Sequence, residues 1–149
     1  MTATTATTAT ATTTTGRSRA GRWALVALQV LLAALYVGSG LGKVTLEATV
    51  VTGFAAMGIG TGLAVTIGVL ELLGAVGLLI PRIAGLAATA FVALMIGAVG
   101  ITAATLGVGM ILVPAVVLVL VAVVAWARRH ETAALVRDPR RLVAAPHRA

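Results

Sequence analysis

Glu71 is the side chain best suited to chemistry, because it lies near the middle of an apolar run, residues 63–80. A charged side chain at the centre of a bilayer costs roughly 2.5–3.5 kcal/mol on insertion scales, so Glu71 requires protonation or a compensating partner. Its helical face is built of small residues, among them Gly68 and Gly74, which predicts a carboxyl facing a close helix contact. Two interpretations stay open: a proton or ligand site, and a protonated carboxyl that hydrogen-bonds a neighbouring helix.

A polar stripe on the first apolar run supplies candidate partners for that carboxyl. Gln29, Tyr36, Gly40 and Lys43 share one helical face, about 60° wide at 100° per residue. Tyr36 is expected to be the easier hydrogen-bond partner for Glu71, since Lys43 lies at the outer end of its run and must reach inward. For Lys43 the alternatives are a snorkelling helix-end cation, a salt bridge to Glu71 or Glu47, and contact with an anionic ligand. For Gln29 and Tyr36 the alternative is packing alone.

Small residues at helical spacing predict close contacts between helices. Gly68 and Gly74 lie on the face of Glu71, and Gly97 and Gly100 lie on a small-residue face of the third apolar run. Small side chains let the backbones of two membrane helices approach each other, so helix packing is the role expected of all four glycines.

Several kinds of site are excluded by residue type. The chain has no cysteine, so it contains no disulfide, thiolate nucleophile or Cys-ligated metal centre. Its two histidines, His130 and His147, follow the last apolar run, and its four acids are scattered, so no haem or metal site is expected. The glycine-rich stretches lack the context of a phosphate loop. Any redox role therefore needs a bound organic cofactor or a partner, because no intrinsic cofactor is predicted.

The elements that carry these residues are membrane spans. Of the 149 residues 60% are hydrophobic and 10% are charged, against about a quarter charged in soluble domains. Each bilayer crossing takes about 20 mostly apolar residues. We therefore predict an all-α, polytopic bundle of four transmembrane helices in a lipid bilayer. The predicted parts are a disordered Ala/Thr-rich tail at 1–22, a transmembrane domain at 23–127 with spans at about 23–41, 63–80, 83–106 and 108–127, and a basic tail at 128–149.

The charge distribution orients the bundle. Residues 1–22 carry a net charge of +3 and residues 127–149 a net charge of +4, which together account for the formal charge of +7. The positive-inside rule then places both termini in the cytoplasm. Nucleic-acid binding is not expected, because the basic residues flank membrane spans and the tails lack interleaved aromatics. Residues 42–62 are too polar for a crossing, and an interfacial and a re-entrant conformation both stay open.

Two stretches carry a resemblance to a known family. They read YVGSGLGK at residues 36–43 and GVLELLGAVGLLIP at residues 68–81, with Phe54 and Gly58 between them. Over about residues 23–129 the chain resembles the DoxX-like family of small four-helix membrane proteins. The resemblance implies a bundle in the bacterial cytoplasmic membrane, with Lys43 and Glu71 at the polar positions of the family motifs.

The resemblance also implies a class of function. Some relatives are linked to quinone-coupled sulfur oxidation or to membrane complexes that handle oxidative and thiol stress. Thr102 stands where many members have a histidine, which removes an imidazole from that position. Three hypotheses follow: a subunit or scaffold with a quinone and a redox protein partner, a proton-coupled transporter using Glu71, and a non-catalytic assembly protein. Whether the chain is an enzyme, and whether it forms a homo-oligomer, stays open.

Overall fold

The computed structural model describes residues 19–137, and the tail residues 1–18 and 138–149 lie outside the described part. Between residues 19 and 137 the chain is helical and has no strand. The helices are α1 (Arg19–Val44), α2 (Ala48–Ala56), α3 (Thr61–Leu79), α4 (Ala84–Thr105), α5 (Leu112–Ala127) and α6 (Arg129–Arg137), with one 3₁₀ turn (Val108–Met110) before α5.

Four helices form the bundle: α1, α3, α4 and α5. The α1–α3 and α4–α5 pairs make the most extensive contacts, and α3 packs against α4 across the short turn that joins them. The turn exists because Pro81 cannot continue α3, whose C-cap is Ile80. Tyr36, Phe91 and Val121 lie in the buried centre, at 2% exposure or less.

The outer surface of the bundle is apolar, as a bilayer requires. Leu31, Leu73 and Val119 are each more than 60% exposed and have no protein neighbour to cover them fully. Helices α1, α3 and α4 are each long and apolar enough to cross a membrane. With 16 residues, α5 is about 24 Å long, and it reaches span length only together with α6, from which it is bent by 62°. The predicted all-helical membrane bundle is therefore confirmed, with three to four candidate spans.

Two helices lie outside the predicted apolar runs. In the segment 42–62, residues Ala48–Ala56 form the short helix α2, and Gly58 closes it with a φ of 71° that favours glycine. In the basic segment after residue 127, Arg129–Arg137 forms α6, which contacts α4 and α5.

The bundle has two chemically different ends. We call the Lys43 end the one where α1 stops, α2 lies and α5 begins. The Arg128 end is the one where α1 begins, the α3–α4 turn lies and α5 passes into α6. Because the four bundle helices alternate in direction, the described chain starts and finishes at the Arg128 end.

Candidate functional site

A buried ion pair forms the centre of the candidate site. Lys43 Nζ lies 2.8 Å from Glu71 Oε2, and the two side chains are only 12% and 4% exposed. Lys43 Nζ also donates a hydrogen bond to Ser39 Oγ, one helical turn earlier on α1. The cation therefore neutralises a carboxylate that would otherwise be isolated within the apolar part of the bundle.

Helix geometry explains why Lys43 points inward. The Cα–Cβ bonds of an α-helix tilt towards its N-terminus, which for the last turn of α1 is the interior of the bundle. Two glycines then bring the helices together: a Cβ added to Gly68 would lie 2.7 Å from Lys43 Cβ and 2.9 Å from the carbonyl oxygen of Gly40. This close approach lets the lysine stem lie across α3 and reach Glu71.

Tyr36 lies beside the ion pair but does not bond to it. Its ring stacks on Phe91 of α4, with centroids 3.7 Å apart and planes 8° from parallel. Phe91 in turn packs over Gly74, where an added Cβ would lie 2.5 Å from the ring. Among the described residues the buried Tyr36 hydroxyl has no hydrogen-bond partner. The expectation that Tyr36 is the easier partner for Glu71 is therefore wrong, since Lys43 takes that place.

A cavity of about 510 Å³ adjoins these side chains at the Lys43 end, and we call it the Lys43 cavity. It lies among α1, α3, α4 and α5, and Phe54 of α2 and Met57, the residue that caps α2, also line it. Its lining is mostly aliphatic, which is typical of small-molecule sites. The polar side chains in the lining are Tyr36, Ser39, Lys43, Glu71 and Thr102.

Phe54 brings α2 into contact with the Lys43–Glu71 ion pair. Its ring centroid lies 5.9 Å from Lys43 Nζ, within the range of a cation–π interaction. In the sequence Phe54 stands out only through the family resemblance, because residues 42–62 are compatible with both an interfacial and a re-entrant conformation. The contact of Phe54 with Lys43 holds α2 against the Lys43 cavity.

Gln29 belongs to a different site. It is 4% exposed and lies at the Arg128 end, where its Oε1 accepts a hydrogen bond of 3.0 Å from Arg128 Nη2. Arg128 Nη1 also donates to the carbonyl oxygen of Pro81 at 3.3 Å and to Glu131 Oε2 at 2.7 Å. This arginine ties α1, the α3–α4 turn and α6 together. In the sequence this arginine only opens the basic segment after the last apolar run, which predicts a topological anchor or an interaction segment.

The four glycines predicted to pack helices divide into two pairs. Gly68 and Gly74 lie at close contacts, whereas a Cβ added to Gly97 or Gly100 would meet no atom within 4 Å. Contacts within this chain therefore do not explain the latter two glycines, of which Gly97 lines the Lys43 cavity. Between residues 19 and 137 no group of three acidic, histidine or cysteine side chains is arranged to hold a metal ion.

The comparison with protein families covers most of this bundle. The sequence pattern of the DoxX-like family matches residues 27–124, from the first turns of α1 almost to the end of α5. The chain belongs to the DoxX-like family. The matched region contains Tyr36, Lys43 and Glu71, so the whole polar lining of the cavity lies in the part that this DoxX-like protein shares with its family. No curated protein and no solved structure matches the chain significantly.

Proposed function

We propose that this DoxX-like protein is a membrane subunit that binds a quinone in the Lys43 cavity and serves a redox complex. The observation that carries the proposal is the cavity itself, which combines about 510 Å³ of mostly aliphatic space with the Lys43–Glu71 pair at one wall. Ligand sites of this kind bury an apolar body and orient it with a few polar groups.

The polar groups match the needs of a quinone head. Among the described residues the Tyr36 hydroxyl is a donor without a partner, and a quinone offers two carbonyl acceptors. Lys43 Nζ donates to Glu71 Oε2 and to the Ser39 hydroxyl and carbonyl oxygens, so it would serve a quinone oxygen by its charge or by giving up one of these bonds. Glu71 fixes Lys43 in place, and the stacked Phe91 fixes the tyrosine ring. Tyr36 therefore has an unsatisfied donor that a carbonyl oxygen would satisfy.

The residue types of this chain indicate which parts of the reaction it can serve and which need a quinone or a redox partner. A bound quinone supplies redox chemistry, since its reduction to a quinol takes up two electrons and two protons. The chain itself has no cysteine, so the electrons are assigned to a redox protein partner. Lys43 would orient a ring oxygen as an ammonium donor, and Glu71, an ionised carboxylate that only accepts hydrogen bonds, would hold Lys43 in place; the two protons would be taken up from solvent.

The direct test is quinone titration of purified protein in nanodiscs, followed by native mass spectrometry. We expect the wild type to retain one quinone. We expect Tyr36→Phe to bind about tenfold more weakly, because one hydrogen bond is worth about 1–1.5 kcal/mol. The matched control is Thr66→Val, since the Thr66 hydroxyl is exposed and bonds to the carbonyl oxygen of Gly62 on its own helix. Absence of bound quinone, or equal affinity in Tyr36→Phe and wild type, would reject the proposal.

The same ion pair weighs against a proton-coupled transporter. A carboxylate that alternates between a proton and a cationic substrate must be free to bind both, whereas Glu71 is held by Lys43. Proton flux into proteoliposomes separates the two functions. We expect none above that of empty vesicles, and a flux that disappears in Glu71→Gln would instead establish transport.

We further propose four spans in the bacterial cytoplasmic membrane, with the Arg128 end and both termini in the cytoplasm. Support comes from the arginines at that end and from the positive-inside rule. Because the chain has no native cysteine, single cysteines at Thr45 and Arg82 can report the two sides. We expect the first to react with an impermeant reagent from outside and the second only from inside. Labelling of both from one side would contradict this topology.

A further inference from the structure

The Arg128 end carries a concentration of positive charge at headgroup depth. Its two tryptophans, Trp23 and Trp126, are 74% and 70% exposed, as indole rings are at a membrane–water interface. Among residues 19–137 the only acid at this end is Glu131. The arginines there are Arg19, Arg22, Arg82, Arg128, Arg129 and Arg137.

Part of this surface is a groove, which we call the Arg82 groove. It has a volume of about 350 Å³ and lies between the α3–α4 turn and α6. Its charged lining residues are Arg82, Arg128 and Glu131, and Ala134 and Leu135 of α6 line it as well. Helix α6, which forms one side of the groove, is bent by 62° from α5.

Arg82 is the free cation of this groove. The guanidinium of Arg128 is already bonded to Pro81, Gln29 and Glu131, and its charge is balanced by the Glu131 carboxylate. Within the part of the chain that the structure describes, Arg82 is exposed and forms no hydrogen bond or ion pair. The net charge of the groove is therefore positive, and its strongest unused donor is one planar guanidinium.

The start of α4 adds to this preference for anions. The N-cap residue of this 22-residue helix is Ile83, directly after Arg82, and its side chain makes no capping hydrogen bond. The N–H of Ala84 already donates to the carbonyl oxygen of Ile80, and Ala84 and Gly85 are buried, so the helix start contributes the partial positive charge of its dipole rather than free donors. This dipole adds to the positive potential around Arg82.

The surroundings of the groove match a lipid rather than a soluble anion. Leu79, Ile80 and Leu86 flank Arg82 in sequence and are each more than 40% exposed. In a bilayer these side chains meet acyl chains, while the arginine above them meets headgroups. We propose that the Arg82 groove binds the phosphate of an anionic phospholipid, with its acyl chains along the exposed face of the α3–α4 hairpin. The proposal does not depend on the quinone site.

Native mass spectrometry can test this by counting lipids retained from nanodiscs of phosphatidylglycerol and phosphatidylcholine in equal parts. We expect the wild type to retain phosphatidylglycerol preferentially. We expect Arg82→Gln to lower that preference about tenfold, because a charge-assisted bidentate contact is lost. The matched control is Arg137→Gln, which removes the same charge from an exposed residue of α6 outside the groove.

The outcomes distinguish a specific lipid site from non-specific attraction of anionic lipids to the positive charge at this end. Equal losses in Arg82→Gln and Arg137→Gln, or no lipid preference in the wild type, would overturn the proposal. Displacement of the retained lipid by inorganic phosphate alone would also overturn it, since the ligand would then be a free anion. Arg82→Lys keeps the charge, so its partial recovery of the preference, at an unchanged thermal unfolding temperature, would support the site and exclude misfolding as the cause.

Discussion

The two ends of the bundle each bury a polar side chain beside a cation, but the cations have different surroundings. Each end buries a polar side chain in an apolar bundle, Glu71 at 3% exposure and Gln29 at 4%, and each supplies a cation that donates a hydrogen bond to a side-chain oxygen of that residue. At the Lys43 end the cation is Lys43, and an open cavity of about 510 Å³ adjoins the pair. At the Arg128 end the cation is Arg128, which donates hydrogen bonds to α1, to the α3–α4 turn and to α6.

The surroundings of the two cations indicate which polar groups are available to a ligand. Arg128 links helices and its partners are all within the chain, so its network stabilises the fold. Lys43 and Glu71 neutralise each other beside empty space, and Tyr36 nearby keeps an unused hydroxyl. We therefore expect substitutions at the Lys43 end to change both stability and quinone binding, and substitutions in the Arg128 network to change stability without changing quinone binding.

The largest effect is expected from Lys43→Met. This substitution leaves Glu71 as an unpaired carboxylate in a buried place, which costs about 3–5 kcal/mol of unfolding free energy. Denaturation in detergent micelles measures it, and the double variant Lys43→Met with Glu71→Gln should regain most of the loss because both charges are gone. Glu47→Gln, at an exposed acid, is the control and should change stability by less than about 0.5 kcal/mol. A loss below about 1 kcal/mol in Lys43→Met would show that the pair is solvated.

A smaller effect is expected from Arg128→Gln at the other end. The variant removes hydrogen bonds to Gln29, Pro81 and Glu131 and leaves the buried Gln29 without its partner, at a cost of about 2–3 kcal/mol. Quinone affinity should stay within twofold of wild type, because the cavity lies at the opposite end. A fall in quinone affinity as large as that of Tyr36→Phe would break the distinction between the two ends.

The smallest effects are expected from paired glycine substitutions. Gly68→Ala forces α1 away from α3, since the added Cβ meets Lys43 and the backbone of Gly40, and overpacking of this kind costs roughly 1–3 kcal/mol. Gly85→Ala meets the Thr132 hydroxyl and Arg128, and a rotation of Thr132 relieves part of that clash.

Unfolding and quinone titration together evaluate these glycine variants. Gly68→Ala should lower both stability and quinone affinity, while Gly85→Ala should lower stability only. Gly100→Ala is the control, because its Cβ meets open space and alanine favours the helix, so it should be neutral or slightly stabilising. Equal quinone affinity in Gly68→Ala and Gly100→Ala would contradict the link between helix spacing and the site.

Much of the fold could be predicted because the bilayer sets simple rules. Long apolar runs must be helical to satisfy their backbone groups, and Pro81 ends one of them, so α1, α3 and α4 are visible in the sequence. Helices α2 and α6 are not, because each has only nine residues, too few to span a bilayer or to be stable alone, and their helicity depends on packing against the bundle.

The sequence predicts which residues belong to the candidate site, but it does not predict that Glu71 pairs with Lys43 rather than with Tyr36. Periodicity places Lys43 and Tyr36 on one face of α1, yet it cannot give the axial register between α1 and α3. That register is set by the contact of Gly40 with Gly68, which brings Lys43 within reach of Glu71. The inward tilt of the lysine Cβ is a rule of helix geometry that could have favoured this pair in advance. The contact between Gln29 and Arg128 joins residues at opposite ends of the chain, so no local pattern predicts it.

Photolabelling with an azidoquinone, followed by peptide mapping, locates a bound quinone within the bundle. We expect covalent labels on residues that line the Lys43 cavity, above all Phe54, Met57 and Met95, with labelling suppressed by excess unmodified quinone and reduced in Tyr36→Phe. Lipid-facing residues such as Leu31 and Leu73 provide the internal background. Labels spread evenly over the cavity and the lipid-facing surface, or unaffected by competing quinone, would contradict a quinone site in this bundle.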